Sequence, residues 1–196
     1  IQGVDVIFFR SHRAKRLNIT IKPFVGVRVS VPRSVSFKKA SALTENRISW
    51  IKTHLSKMQK EEGLLTVFHL DTKFQTRSHH LEMKFSDTEA LKTLVRDNKI
   101  EVSIPHSHNI EDSKVQNAIR QAIELAWRKE AKIHLPGRVK VLAAAHKFEY
   151  KNVAIKNSKT RWGSCSFDNN INLSLHLMRL PDHLVDYVIL HELVHT

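Results

Sequence analysis

Residues 184–195, LVDYVILHELVH, constrain this chain more than any other stretch. Leu184, Val185, Val188, Ile189, Leu190, Leu193 and Val194 put apolar groups on nearly every side of a helix, and such a helix is expected to be buried. Pro181 suits the first helical position and Asp182 complements the positive end of the helix dipole, so the pattern predicts a helix over 181–196. Three polar side chains stand out near its end. His191 and His195 are four residues apart and project from one face, where two imidazole nitrogens can reach one tetrahedral ion at about 2.0–2.1 Å. Glu192 is turned about 100° from His191. It lies beside such an ion rather than towards it, where a general base for metal-bound water belongs. Zinc is the expected cofactor, since it lowers the pKa of its bound water to about 7. In a chain with 13 histidines chance produces this pattern about 0.05 times. The competing reading is a pair of hydrogen-bonded core histidines beside a salt-bridged Glu192.

The remainder reads as strands and helices in alternation. VDVIFFR, LNITIK and VRVSVP are partly alternating, β-branched and aromatic segments that predict three strands, the third closed by Pro32. Residues 36–63 predict one helix, capped by Ser36 and stopped by Gly63, with Ala42, Ile48, Ile51 and Leu55 near one face. LTVFHL, SHHLEMKF, LKTLVRD and KIEVSIP predict four more strands, separated by turn-prone residues such as DTK and DNK. Val115, Ile119, Ile123 and Ala126 predict a helix ending near Leu135, where Pro136 and Gly137 punctuate the pattern; VKVLAAAHK predicts a second, shorter helix. FEYKNVAIKN and INLSLHL predict strands. No internal repeat is visible, and the expected domain boundary falls near residues 105–111.

Composition narrows the function classes. No apolar run is long enough to cross a membrane, and the first ten residues lack the layout of a signal peptide. The single cysteine, Cys165, excludes an internal disulfide and points to a reducing, cytoplasmic setting. Thirty-two Lys and Arg against 19 Asp and Glu give a net charge of +13 and favour acidic partners, nucleic acid first among them; the basic runs RSHRAKR and SFKK add to that expectation.

Arg161-Trp162-Gly163-Ser164-Cys165, a short Asn-rich turn, Ile171-Asn172-Leu173-Ser174-Leu175, Leu180-Pro181, and then Asp186-Tyr187-Val188-Ile189 running into His191-Glu192-Leu193 and His195 resemble the YgjP-like metallopeptidases. That family is in turn similar to SprT-type and gluzincin-like proteases. The likeness is dense from about Arg128 to Thr196, and SHRAKRLNITIK, VRVSVP and RISWIKTHL resemble the family's N-terminal region. The resemblance implies an α+β fold: a strand-rich N-terminal part with one helix over 1–108, then a zincin-like core over 109–196 with the HExxH helix at its C-terminal end. It implies a zinc-dependent hydrolase of peptide bonds, with His191 and His195 on the metal, Glu192 catalytic, a protein or peptide substrate, and INLSL as the strand flanking the cleft. The implied third ligand is a histidine after the helix, so the chain is expected to be cut short after the motif and, lacking that ligand, inactive or only weakly metallated. His146, His176 and His183 are the in-chain substitutes. Asn172 and Ser174 share one face of their strand, and Arg161 is suited to bind a substrate carboxylate or carbonyl, or else to pair with a nearby acid. Trp162 is expected to be a packing anchor under the cleft, Gly163 a turn residue, and Cys165 a small packed side chain rather than a nucleophile or metal ligand. Two alternatives stand beside the peptidase: a basic nucleic-acid-associated protein, in one form a SprT-like protease acting on DNA-bound proteins, and a non-catalytic metal-binding scaffold.

Overall fold

The computed structural model describes residues 1–22, 26–63 and 66–196. The chain is a mixed α+β protein that divides into two compact units, Ile1–Val67 and Phe68–Thr196. Among the described residues no helix is long and apolar enough to cross a membrane.

The first unit holds strands β1 (Val6–Arg10), β2 (Asn18–Lys22) and β3 (Gly26–Val31), followed by helices α1 (Phe37–Glu45) and α2 (Ile48–Gly63). Strand β3 is central, parallel to β1 and antiparallel to β2. Its alternating Val27, Val29 and Val31 are buried, as period-two patterning requires. Ser36 caps α1 as expected, its hydroxyl accepting the Lys39 amide at 3.2 Å. The single helix predicted over 36–63 is two. The Thr44 hydroxyl donates to the Ala40 carbonyl at 2.7 Å, and the Arg47 amide closes a tight turn onto Thr44 O at 3.0 Å, which ends α1. The break rotates the faces, so Ala40, Thr44, Ile51 and Met58 are buried while Ala42 is exposed.

The second unit contains β4 (His80–Ser86), β5 (Lys92–Arg96), β6 (Lys99–Pro105), α3 (Ser113–His146), β7 (Asn152–Lys156), β8 (Gly163–Cys165), β9 (Asn170–Ser174), a 3₁₀ turn over Leu175–Arg179 and α4 (Asp182–Leu193). Asp97 and Asn98, both at positive φ, form the two-residue turn that joins β5 to β6. LTVFHL forms no strand over its described residues, 66–70; Leu65 lies outside them. The buried Gln116 takes the place of a strand partner, accepting from the Phe68 amide at 3.0 Å and donating to the Phe68 carbonyl at 2.7 Å.

The two helices predicted over 111–147 are one helix of 34 residues, with Pro136 inside it. Proline removes one helical hydrogen bond and crowds the carbonyl four residues back. Packing on both sides of the break offsets that cost. Leu135 and Val139, fully buried, flank it and belong to one core with Ile171, Leu173, Leu177, Val185, Ile189 and Leu193. The N-terminal half of α3 packs Val115, Ile119, Ile123 and Ala126 on Ile100, Val102 and Ile104 of β6. One helix thus serves two sheets, and the boundary expected at 105–111 falls inside the second unit.

All three sheets have one plan. The third strand in sequence is central, parallel to the first and antiparallel to the second, and a helix follows. Among the described residues this three-strand-plus-helix unit occurs three times, a repeat of architecture that leaves no repeat in the residues.

Candidate metal and catalytic site

Helix α4 is fixed first at its N-terminal half. Arg77 donates to Asp182 at 2.5 Å, and Arg138 on α3 grips Asp186 with two hydrogen bonds of 2.5 and 2.6 Å, the paired geometry that orients as well as attracts. These guanidinium groups hold both carboxyls below the ordinary aspartate range. One stripe of α4, Val185, Ile189, Glu192 and Leu193, is buried. The all-round burial expected for this helix does not occur: Leu184, Tyr187 and Val194 are exposed, the last two at 67%.

The His191 and His195 rings lie on that exposed face, 5.0 Å apart between centroids and nearly perpendicular, with Tyr187 stacked beyond His191. The helix ends at Leu193 rather than 196, and the His195 amide closes onto Glu192 O at 3.3 Å, an end-of-helix tightening that still leaves one ring beside the other. Glu192 turns the other way, into the unit, and is 7% exposed. Its carboxylate is lodged against β8: a Cβ added to Gly163 would sit 2.6–2.8 Å from Glu192 Cγ, Cδ and Oε1. Gly163 is therefore a strand residue whose missing side chain makes room for Glu192, not a turn residue. Neither imidazole nor this carboxylate has a hydrogen bond or ion pair from its side chain among the described residues, so the arrangement of bonded core histidines and a salt-bridged glutamate is not what forms.

The donor chemistry fits a zinc ion in part: two adjacent exposed imidazoles on one face of the helix end, with the Glu192 carboxylate on the next residue. Among the described residues no third His, Cys, Asp or Glu, Glu192 included, gathers with the two imidazoles to hold an ion. His146 lies in the last turn of α3 against Phe148. His183 is two helical turns, about 12 Å, from His191. His176 is turned to Asn157 at 2.9 Å.

The strand order corrects the expectation for INLSL. Strand β9 lies between β7 and β8 and is paired on both sides, so β7 and β8 are the edges of this sheet, and β8 is the one against Glu192. Ser174 N to Trp162 O, 2.8 Å, and Ser166 N to Asn170 O, 3.0 Å, set the phase of this antiparallel ladder. Ser164 therefore pairs with Asn172, and the backbone groups of Gly163 and Cys165 point away from β9. Asn172 faces the cleft wall beside Ser164 and Trp162. Ser174 is buried and holds the preceding loop, its hydroxyl donating to Ser158 O at 2.7 Å. Trp162 is 45% exposed rather than packed beneath the cleft, because its carbonyl, not its ring, is what anchors it to β9. Arg161 is exposed and has no acid partner among the described residues. Cys165 donates to Ser166 O at 3.4 Å and His195 O at 3.7 Å; burial, then the nearby Glu192 charge, pushes its thiol up, so it packs rather than attacks.

Sequence reading missed the Gly163–Glu192 contact and the cations Lys156, Lys159 and Arg179 that gather around Trp162. The charge spacing in KNSKTR carried a signal for the cations; only the fold brings Arg179 to them.

The titratable groups around α3 and α4 give an acid response of definite sign. Burial, then the Arg77 charge, lowers the His134 imidazole, and burial also lowers that of His176. Burial alone would raise Glu130, but hydrogen bonds from Thr76, His79 and the Ser78 amide outweigh it and leave the carboxyl lowered. Each folded value lies below the unfolded one, so the stabilisation is complete above the unfolded value and is lost as pH falls through the folded one. The thermal midpoint is expected to be flat near pH 8, to decline below about 6.5 and to fall more steeply below about 4. His134→Gln should flatten the first decline; a midpoint that rises between pH 7 and 5 would contradict the assignment.

A family model described as YgjP-like, metallopeptidase domain, matches residues 15–196. No curated protein and no solved structure matches the chain.

Proposed function

Because the chain belongs to the YgjP-like metallopeptidase domain family, we propose that it is a zinc-dependent peptidase with a zincin-like core, in which Glu192 is the general base. The observation that carries this reading is the packing of the Glu192 side chain against Gly163 of β8, on the same helix end as two adjacent exposed imidazoles. His191 and His195 would hold the ion. When bound, zinc supplies an activated water and polarises the scissile carbonyl. Glu192 takes the proton of the attacking water at a carboxylate oxygen and delivers it to the departing amide nitrogen. The free edge of β8 offers the N–H and C=O groups of Gly163 and Cys165 to an extended peptide, so the substrate adds as a strand beside the base. The ion pairs of Arg77 and Arg138 fix the helix that carries all three groups.

Metal content tests the ligand pair. The full-length protein is expected to retain about one zinc per chain, and His191→Ala or His195→Ala to lower the affinity at least about 100-fold. Undiminished zinc in both variants would place the ion elsewhere.

A further inference from the structure

Two adjoining cavities, of about 340 and 250 Å³, flank the loop between β7 and β8 and share Ser158, Arg161 and Trp162. Lys159, Arg161 and Arg179 line the first and Lys156 and Arg161 the second; no Asp or Glu lines either. Elsewhere in this unit several cations are paired with carboxylates. Arg77 and Arg138 pair with Asp182 and Asp186, Lys99 with Glu82, and Arg128 with Glu124. The four around these cavities have no carboxylate partner among the described residues. Burial pushes the His176 imidazole down, and the positive field of Arg179, Lys159 and Arg128 adds to that effect against Glu124. Like charges gathered on concave protein surface focus a field that an anion relieves.

The position of this cleft says which anion. Arg161 and Trp162 run directly into edge strand β8, and the Trp162 carbonyl is tied to β9 at 2.8 Å. Gly163, which follows, touches Glu192. A peptide extended along β8 past Glu192 therefore continues over Trp162 and Arg161. At about 3.3 Å per residue, its side chains two to four residues from the base reach the cations. We propose that this cleft is an anion-recognising subsite, and that the protein selects peptide segments carrying Asp or Glu two to four residues from the scissile bond, on the side facing Arg161. The preference for acidic sequence rests on the peptidase reading; the cleft's affinity for an acidic peptide does not.

The test uses the full-length, zinc-loaded protein and two labelled peptides that differ only by Glu or Gln at those positions, with cleavage followed by mass spectrometry and binding by fluorescence anisotropy. The Glu peptide is expected to be favoured about tenfold in both kcat/KM and affinity, mainly through KM, with the ratio shrinking as salt is raised. In the double variant Lys159→Gln/Arg161→Gln the ratio should fall to about two or less, and Arg161→Lys should restore part of it. Equal treatment of both peptides, or a ratio that survives the double variant, overturns the proposal. A single-stranded oligonucleotide that binds the cleft while the peptides are not distinguished overturns it in favour of nucleic acid. Tighter binding of the Glu peptide without cleavage of either keeps the anion site and removes the peptidase reading, and with it the acidic cleavage preference.

Discussion

Glu192→Gln is expected to reduce peptide hydrolysis about 10²–10⁴-fold, with zinc content unchanged. The substitution keeps the shape of the side chain against Gly163 and removes its capacity to take a proton. Stability should not suffer. Glu192 has no ion pair among the described residues, so neutralising it breaks no such bond. The expected pattern is therefore a dead enzyme with an unchanged thermal midpoint. Neutralising a residue held in place by a salt bridge would lower it. Activity within a few-fold of wild type would remove Glu192 from the mechanism.

Gly163→Ala is the second large effect. The added Cβ would stand 2.6–2.8 Å from three Glu192 side-chain atoms, closer than carbon atoms tolerate. Gly163 lies in an ordinary strand, so the backbone accepts an L side chain. The three nearest atoms all belong to the Glu192 side chain, which moves more readily than the strand or helix behind it. We expect kcat to fall about 100-fold or more, because even about 1 Å of displacement of a catalytic group costs on that order. The stability cost should stay at or below about 1–3 kcal/mol, the usual range for overpacking. Combining Gly163→Ala with Glu192→Ala should recover that stability, since the second change removes the three atoms nearest the added Cβ. A double variant whose losses simply add would contradict direct contact.

How far the site was legible follows from the kind of signal each part carries. The α4 pattern is periodic and long, and the His191–Glu192–His195 spacing is local, so both can be read along one element. The hairpin at Asp97–Asn98 and the cap at Ser36 are likewise local chemistry. Features set by distant partners were not legible. Pro136 reads as a helix end unless Leu135 and Val139 are known to pack on both sides of it. Strand β8 is three residues long and contains a glycine, too short for alternation to show. The edge position of β8 and the central position of β9 depend on sheet order, which INLSL does not encode. The cations around Trp162 come from the end of β7, from the loop after it and from a turn beyond β8 and β9.

Cleavage of an unstructured protein by the full-length protein, read by mass spectrometry before chelation, after chelation and after adding back zinc, tests the central claim most directly. The account predicts new peptide termini that disappear with the metal and return with one zinc per chain. Cleavage that persists in the metal-free protein, or a zinc-loaded protein that leaves every peptide bond intact, would contradict it.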